Sequence, residues 1–209
     1  MGTYRDAAGR RLEDYPRPSV AVDTAVLTVD EGRLCVGLLE RAEGRRLPGT
    51  FLHEGERLAD AVRRSLADKA GIVGLRPQQL RVFDTPGRDD RGWVLSVAHL
   101  AVVPLARLAS SSVTPVPVEQ ATGLQFDHDE IVRIAAEWLR DRYREEPDPE
   151  HLLPERFTLR DLQLLHQAVA GAPLMRDSFR RGMERRLRDT GERMSGIVGK
   201  PPRLFERMR

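Results

Sequence analysis

The chain has 209 residues, which is enough for one large domain or two small ones. It is 40% hydrophobic and 32% charged, as is usual for soluble proteins, and no apolar run approaches the length of a membrane span. The single cysteine, Cys35, excludes an intrachain disulfide and lies in an apolar run, so we expect a buried thiol. With no visible signal peptide, the sequence predicts a protein of the reducing cytoplasm.

The net charge of +2 is unevenly distributed along the chain. Residues 1–150 carry a net charge of −4, whereas residues 151–209 carry +6. A short basic segment behind an acidic body is typical of a nucleic-acid-binding appendage. Almost all of the cations are arginines, so a cluster of them is better evidence for phosphate binding than any single one.

Two strands and a helix are the first elements predicted. The β-rich run 19–29 predicts a largely buried strand, and residues 34–39 predict the strand that returns after a turn at 30–32. A glycine-marked loop then leads into an amphipathic helix that begins near Leu58, because its apolar residues recur at helical spacing. Gly71 is the expected C-terminal cap of this helix.

The stretch 48–72 resembles the Nudix box, the loop-helix signature of hydrolases that cut nucleoside diphosphates linked to another group. Matching positions are Glu56, Arg64, Leu66, Gly71 and Ile72. Four other positions depart from the pattern: Thr50 replaces a glycine, Ser65 replaces the catalytic glutamate, and Asp68 and Lys69 replace the two metal-binding glutamates.

These departures remove most of the metal chemistry of the box. Mg²⁺ prefers carboxylate oxygens, and the intact box presents three carboxylates on one helix face. Here only Asp68 remains on that face, and Lys69 is a cation where a ligand is needed. We therefore expect no catalytic residues, no required cofactor, and at most weak Mg²⁺ binding near Glu56 and Asp68. Lys69 either faces solvent or takes over part of the metal's charge opposite a diphosphate.

A strand at 80–83, a turn-rich loop at 85–92 and a long strand at 93–103 follow the helix. Mixed strands around an amphipathic helix favour an α/β/α sandwich. The loop and strand also resemble a segment of Nudix ADP-ribose pyrophosphatases and their regulatory relatives. That resemblance places Arg88 and Arg91 near a ligand's phosphates, which arginine binds bidentately; the alternative is an exposed charged hairpin tip. We expect Trp93 in the core rather than against a base.

Together these features predict a site for a phosphate-bearing effector in the N-terminal part. Its proposed residues are Arg17, Arg41, Gly49, Glu56, Arg64, Asp68, Lys69, Arg88, Arg91 and Ser96.

A second helix is predicted from residue 127. Asp127 and Glu130 have the spacing of a capping box, so we expect Asp127 to cap this helix. The alternative is a role beside the ligand for His128 and Asp129. Two prolines among acids then predict a stop and a linker, which divides the chain into residues 1–146 and residues 147–209.

Residues 147–209 are predicted to form a C-terminal winged helix-turn-helix domain. Thr158, with Asp161 three residues on, caps its first helix, and a second helix with an apolar stripe through Leu187 carries arginines on its other faces. A two-stranded wing is expected after Gly191. The predicted DNA-contacting residues are Thr158, Arg160, Arg176, Ser178, Arg180, Arg181, Arg185, Lys200 and Arg203. The alternative is a solvated basic helix in a small helical cap.

The combination of a degraded Nudix box and this basic unit resembles the Nudix-related transcriptional regulators of NAD metabolism, usually called NrtR. The C-terminal resemblance lies in 157–162, 178–181 and 199–205, although the family often has asparagine where this chain has Ser178. It implies a homodimeric repressor of NAD synthesis or salvage genes that binds a palindromic operator in double-stranded DNA and is released by an effector, usually ADP-ribose. The alternatives are a divergent ADP-ribose pyrophosphatase with a C-terminal dimerisation module, and a nucleotide sensor with a protein partner.

Overall fold

The computed structural model describes residues 4–194 and 201–208, and its N-terminal part is built on a mixed seven-stranded sheet. The central order of the sheet is β3-β2-β1-β6-β5, with β4 paired to β1 and β7 paired to β2. The strands are β1 (Ser19–Asp30), β2 (Arg33–Arg41), β3 (Gly44–Arg46), β4 (Gly49–Phe51), β5 (Gln78–Phe83), β6 (Val94–Val102) and β7 (Thr114–Pro117).

Helices cover both faces of this sheet. They are α1 (Leu58–Ser65), which continues as a π-helical turn over Leu66–Ala70, and α2 (His128–Glu145). Val62 and Leu66 pack in a core on one face, whereas Ile131 and Leu139 pack in a separate core on the other face. The predicted α/β/α sandwich is therefore confirmed. Gly71 has a φ of 69° and caps the end of the first helix, as predicted.

β1 is the strand that positions the later site, because it pairs with three neighbours. It is antiparallel to β2 and β4 and parallel to β6. Asp23 lies opposite Gly49 of β4 on one side and Ala98 of β6 on the other. An acidic side chain is thus fixed in the middle of the sheet.

The C-terminal part contains two helices and a two-stranded sheet. These elements are α3 (Leu159–Ala170), α4 (Arg176–Met183), β8 (Leu187–Arg193) and β9 (Arg203–Arg207). The Thr158–Asp161 capping box at the start of α3 is confirmed by bonds in both directions. Pairing of β8 with β9 gives the shape of a helix-turn-helix with a wing.

The predicted length of the second helix of the C-terminal domain was wrong. α4 ends at Met183, and a short 3₁₀ turn over Glu184–Arg186 leads into β8. Leu187 is buried with Phe205 of β9, so strand pairing overrides the helical periodicity of this stretch. The wing consequently starts before Gly191, and Arg185 lies in the turn rather than on the helix.

α3 packs directly against the N-terminal part. Its Leu165 and Val169 are buried in the same core as Leu139 and Tyr143 of α2. The two parts of the chain therefore share a hydrophobic interface. Among the described residues, no helix is both long and apolar enough to cross a membrane.

Candidate functional site

A buried carboxylate, Asp23, lies at the base of a cavity of about 100 Å³ between β1, β4 and the start of α2. Ser96 donates a 2.6 Å hydrogen bond to its Oδ2, His128 Nε2 lies 3.3 Å from its Oδ1, and Arg88 lies 3.8 Å away. Burial by itself would raise the pKa of Asp23, but these three neighbours hold that pKa below its usual range. Asp23 is therefore ionised and is the shared partner of Ser96, His128 and Arg88.

His128, the first residue of α2, is held in one tautomer. Its Nδ1 accepts a 3.0 Å hydrogen bond from the backbone N–H of Leu47, so the ring proton lies on Nε2 and faces Asp23. The ring is almost fully buried. The N-terminal end of α2 is in this way fastened to the floor of the cavity.

Arg88 lines the cavity but is already engaged by the protein. Its side chain is only 3% exposed and donates two hydrogen bonds to Asp127, one of them 2.7 Å long. Asp127 occupies the N-cap position of α2, as predicted, but its side chain makes no capping hydrogen bond, so the predicted capping box is absent. Asp129 instead accepts bonds of 2.9 and 2.8 Å from the backbone of Gly123 and Leu124.

Arg91 lies at the mouth of the cavity, with its side chain about half exposed. Its guanidinium carbon lies 4.9 Å from the ring centre of Phe51 and 4.8 Å from that of Phe126, and its Nε donates a 2.8 Å bond to the buried Asp89. Arg91 is the main cause of the lowered pKa of Asp89.

Trp93 was predicted in the core, and that prediction was wrong, because its side chain is 58% exposed.

Lys69 lies inside the cavity rather than in solvent. Its ammonium group donates a hydrogen bond to the carbonyl oxygen of Gly49, and burial, followed by the charge of Arg46, lowers its pKa. Gly49 itself has no room for a side chain, because a Cβ there would collide with Oδ1 of Asp23. The solvent-facing alternative for Lys69 is therefore wrong.

Glu56 and Arg64 form a forked ion pair next to the cavity. Arg64 donates bonds of 2.9 and 2.8 Å to the two carboxylate oxygens and a 3.0 Å bond to the carbonyl of Phe51. The hydrogen bonds from Arg64, and then one from the His53 backbone, lower the pKa of Glu56 to about 2. Glu56 is thus ionised, but its oxygens are already used within the protein.

The donor set does not fit a Mg²⁺ ion. Ser65, at the position of the catalytic glutamate, is buried, and Lys69 brings a positive charge. Asp68 is exposed and Glu56 is paired with Arg64. Within residues 4–194 and 201–208, no three His, Cys, Asp or Glu side chains come together as a metal would require.

The structure brings some predicted effector residues together and separates others. Gly49, Lys69, Arg88 and Arg91 line the cavity. Glu56 and Arg64 lie beside it, and Ser96 lies beneath Asp23. Arg17, Arg41 and Asp68 are exposed and are not part of its lining.

Five residues that sequence reasoning missed line the cavity, namely Asp23, Arg46, Phe51, Asp89 and Phe126. An acid within a buried strand was a usable signal for Asp23, since buried charges need partners.

A second candidate site is a basic groove of about 400 Å³ between α3, α4 and β9. Four of its lining residues are predicted DNA-contacting arginines, namely Arg160, Arg176, Arg180 and Arg203. Thr158 also lines the groove, but it is 5% exposed and its hydroxyl is used in the capping box with Asp161. We therefore assign Thr158 a structural role at the rim of this basic groove.

The remaining predicted DNA-contacting residues lie elsewhere. Arg181 and Arg185 are exposed but outside the groove lining, and Ser178 lines a different cavity with Tyr143 and His166. Lys200 lies outside the described residues. Sequence reasoning missed Glu184, which accepts a 2.9 Å bond from Arg180 and also binds Arg203. This carboxylate joins α4 to the wing.

Comparison with known proteins shows what both parts of the chain are similar to. A model of the NrtR DNA-binding winged helix domain matches residues 149–206. The chain is 32% identical over 184 residues to the ADPR responsive transcriptional repressor NtrR of Acinetobacter baylyi, which covers 81% of this chain and 74% of that protein. It is also 29% identical over 143 residues to an ADP-ribose pyrophosphatase of Methanocaldococcus jannaschii, which covers 64% and 81% of the two chains.

Solved structures agree with these sequence matches. The crystal structure of Shewanella oneidensis NrtR complexed with a 27mer DNA has a TM-score of 0.73 and 30% identity, and the match covers 90% of this chain and 93% of that one. The Nudix domain of the same protein complexed with ADP-ribose has a TM-score of 0.54 and 29% identity, with coverage of 63% and 95%. The similarity therefore extends over both parts of the chain.

Proposed function

The chain belongs to the NrtR family of transcriptional regulators, and we propose that it is a DNA-binding repressor whose Nudix domain senses ADP-ribose. One observation carries this proposal: a single chain combines a cation-lined cavity in a Nudix fold with a basic groove in a winged helix domain. A diphosphate ligand suits the first site and a nucleic-acid backbone suits the second.

The cavity is suited to a diphosphate because cations converge on it. Lys69 and Arg46 line its interior, and Arg91 lies at its mouth. The guanidinium of Arg91 can bind phosphate oxygens bidentately, and the ammonium of Lys69 acts as a point charge. At about 100 Å³ the enclosed volume holds one part of the ligand, so the rest of ADP-ribose would extend across the mouth.

We propose that the ligand is bound and not consumed. Ser65 cannot act as the catalytic carboxylate of the Nudix box, and Lys69 neutralises phosphate charge without a metal. Effector binding then shifts the protein towards a conformation with lower DNA affinity, and the free energy of this shift is at most the difference in effector binding free energy between the two conformations. A sensor of this kind gains from leaving its ligand intact.

The DNA-binding form is proposed to be a homodimer on a palindromic operator near genes of NAD synthesis or salvage. Two winged helix units related by a twofold axis would contact half-sites one or two helical turns apart. The arginines of each basic groove would contact phosphates and guanine edges.

The direct test is a titration of labelled DNA fragments from upstream of the chain's own gene and of NAD-biosynthetic genes, at fixed salt, with and without ADP-ribose. We expect specific binding that ADP-ribose relieves. An absence of specific binding to every fragment would contradict the proposal and favour a sensor that acts on a protein partner.

The second candidate function is ADP-ribose hydrolysis with a C-terminal dimerisation module. It is favoured by the similarity to a pyrophosphatase and by the retained acids Glu56 and Asp68. The discriminating assay is the release of AMP from ADP-ribose with Mg²⁺ or Mn²⁺. Hydrolysis of ADP-ribose with a kcat of about 1 s⁻¹ or more, as is typical of enzymes, would favour this function over that of a sensor.

A further inference from the structure

One helix joins the cavity to the DNA-binding domain. His128 at the first position of α2 faces Asp23 in the cavity, and Tyr143 lies fifteen residues further along the same helix. At 1.5 Å per residue these two side chains are about 22 Å apart along the helix axis. A change at the cavity can therefore reach Tyr143 as a movement of a single rigid element.

Tyr143 is joined to the segment that was predicted to be a linker. Its hydroxyl donates a 2.8 Å hydrogen bond to Asp148, which is fully buried. The same carboxylate accepts bonds of 2.8 and 2.9 Å from the backbone N–H groups of Leu152 and Leu153. Asp148 has a φ of 51°, a conformation that non-glycine residues rarely adopt. The segment is therefore folded around Asp148 rather than loose.

Asp148 also fixes the last strand of the wing. Arg207 of β9 donates two hydrogen bonds to its Oδ2, one of them 3.1 Å long. Arg207 also donates a 2.6 Å bond to the carbonyl of Leu153. One buried carboxylate thus connects α2 to the strand that carries Arg203 of the basic groove.

A second route leads from Tyr143 to α4. The ring of His166 on α3 lies 5.1 Å from the ring of Tyr143 and 5.0 Å from that of Phe179 on α4, edge to face in both cases. Burial lowers the pKa of His166 to about 4, so this ring is neutral at physiological pH. Phe179 lines the basic groove beside Arg176 and Arg180.

We propose that Tyr143 and Asp148 form a joint that couples the effector cavity to the basic groove. This inference rests on the proposed function and names the residues of its regulation. The joint transmits displacement of α2 to β9 through Arg207 and to α4 through His166 and Phe179. Neither Tyr143 nor Asp148 touches the cavity or the groove, so both act as positioning residues.

The test variant is Tyr143→Phe, which keeps the ring and removes only the hydroxyl that bonds to Asp148. The matched control is Tyr15→Phe, because the Tyr15 hydroxyl donates to Asp6 on an exposed segment far from the joint in sequence. For each protein, the DNA dissociation constant is measured with and without saturating ADP-ribose, and their ratio is the coupling factor.

We expect Tyr143→Phe to bind DNA alone and ADP-ribose alone within about twofold of the wild type while its coupling factor falls at least fivefold. Tyr15→Phe should keep the wild-type coupling factor. Arg207→Lys is a second variant, because lysine keeps the charge but cannot make the forked contacts to Asp148 and Leu153. It should also lower the coupling factor.

A wild-type coupling factor in both Tyr143→Phe and Arg207→Lys would overturn the joint, even if both variants melted at lower temperature. If the wild-type chain itself bound DNA without any response to ADP-ribose, the proposed function would fail and the joint with it. These two failures are distinguished by the wild-type measurement alone.

Discussion

The ammonium group of Lys69 donates a hydrogen bond to the carbonyl oxygen of Gly49. Lys69 occupies the helix position where the Nudix box carries a metal-binding glutamate. A positive charge therefore lies at a position where the Nudix box pattern has a carboxylate. Because Lys69 is covalently part of the chain, its charge requires no cofactor. The charge is also unable to activate a water molecule as a metal would.

Replacing Lys69 should weaken effector binding. We expect Lys69→Met to lower ADP-ribose affinity by about tenfold or more, since hydrogen bonds to charged groups contribute about 1.5–3 kcal/mol. Isothermal calorimetry with ADP-ribose measures this, and Arg63→Met is the control because Arg63 is exposed on the same helix and paired with Asp60. Unchanged affinity of Lys69→Met would contradict a role for this charge.

The ion pair between Glu56 and Arg64 should give a pH-dependent contribution to stability. The pKa of Glu56 is about 2 in the folded chain, below the value of about 4.3 in unfolded peptides. Its contribution is therefore fully present above about pH 4.3 and is lost as the pH falls towards 2. Urea unfolding of the wild type and Glu56→Gln should show a difference that shrinks across this window. A difference that does not vary with pH would contradict the ion-pair assignment.

Two glycine substitutions should have opposite effects. Gly49→Ala brings a methyl group against Asp23, so we expect a loss of about 1–3 kcal/mol in unfolding free energy and weaker ADP-ribose binding. Gly182 lies inside α4 with open space around it, so Gly182→Ala should stabilise the chain by about 0.5–1 kcal/mol. Chemical denaturation measures both values. A neutral Gly49→Ala would show that Asp23 can move away from its observed position.

Arg180 should contribute to DNA binding through phosphate contacts. We expect Arg180→Ala to weaken binding to all DNA sequences and to reduce the slope of log affinity against log salt by about 1. ADP-ribose affinity should stay unchanged, because Arg180 lies in the basic groove and not in the cavity. Arg144→Ala is the control, since Arg144 is exposed on α2 and paired with Asp141. Loss of both activities in Arg180→Ala would indicate misfolding instead.

Local patterns predicted much of this fold. The apolar spacing of α1, its cap at Gly71 and the Thr158–Asp161 capping box were confirmed, because each depends on residues within one or two helical turns. The predicted capping bond from the Asp127 side chain is absent for the opposite reason. Arg88, 39 residues earlier in the chain, offers this carboxylate a charged partner that helix spacing cannot reveal.

Long-range pairing also explains why the other predictions failed. The stretch after Met183 has helical periodicity, but pairing with β9 makes it a strand. The floor of the cavity depends on β1 lying between β4 and β6, so Asp23, Gly49 and Ser96 meet only after the sheet has formed. The segment around Asp148 contains the prolines and acids of a linker. The Asp148 carboxylate is nevertheless buried, and it accepts hydrogen bonds from Tyr143 and Arg207.

Effector binding and DNA binding are proposed to oppose each other within one chain. The most direct measurement is the ADP-ribose dissociation constant of the free chain and of the chain saturated with its operator DNA, by calorimetry at one salt concentration. We expect DNA to weaken ADP-ribose binding by a factor in the range of about 5–150, the usual size of such coupling, with ADP-ribose recovered intact. Equal dissociation constants in the two titrations, or recovery of AMP in place of ADP-ribose, would contradict the account.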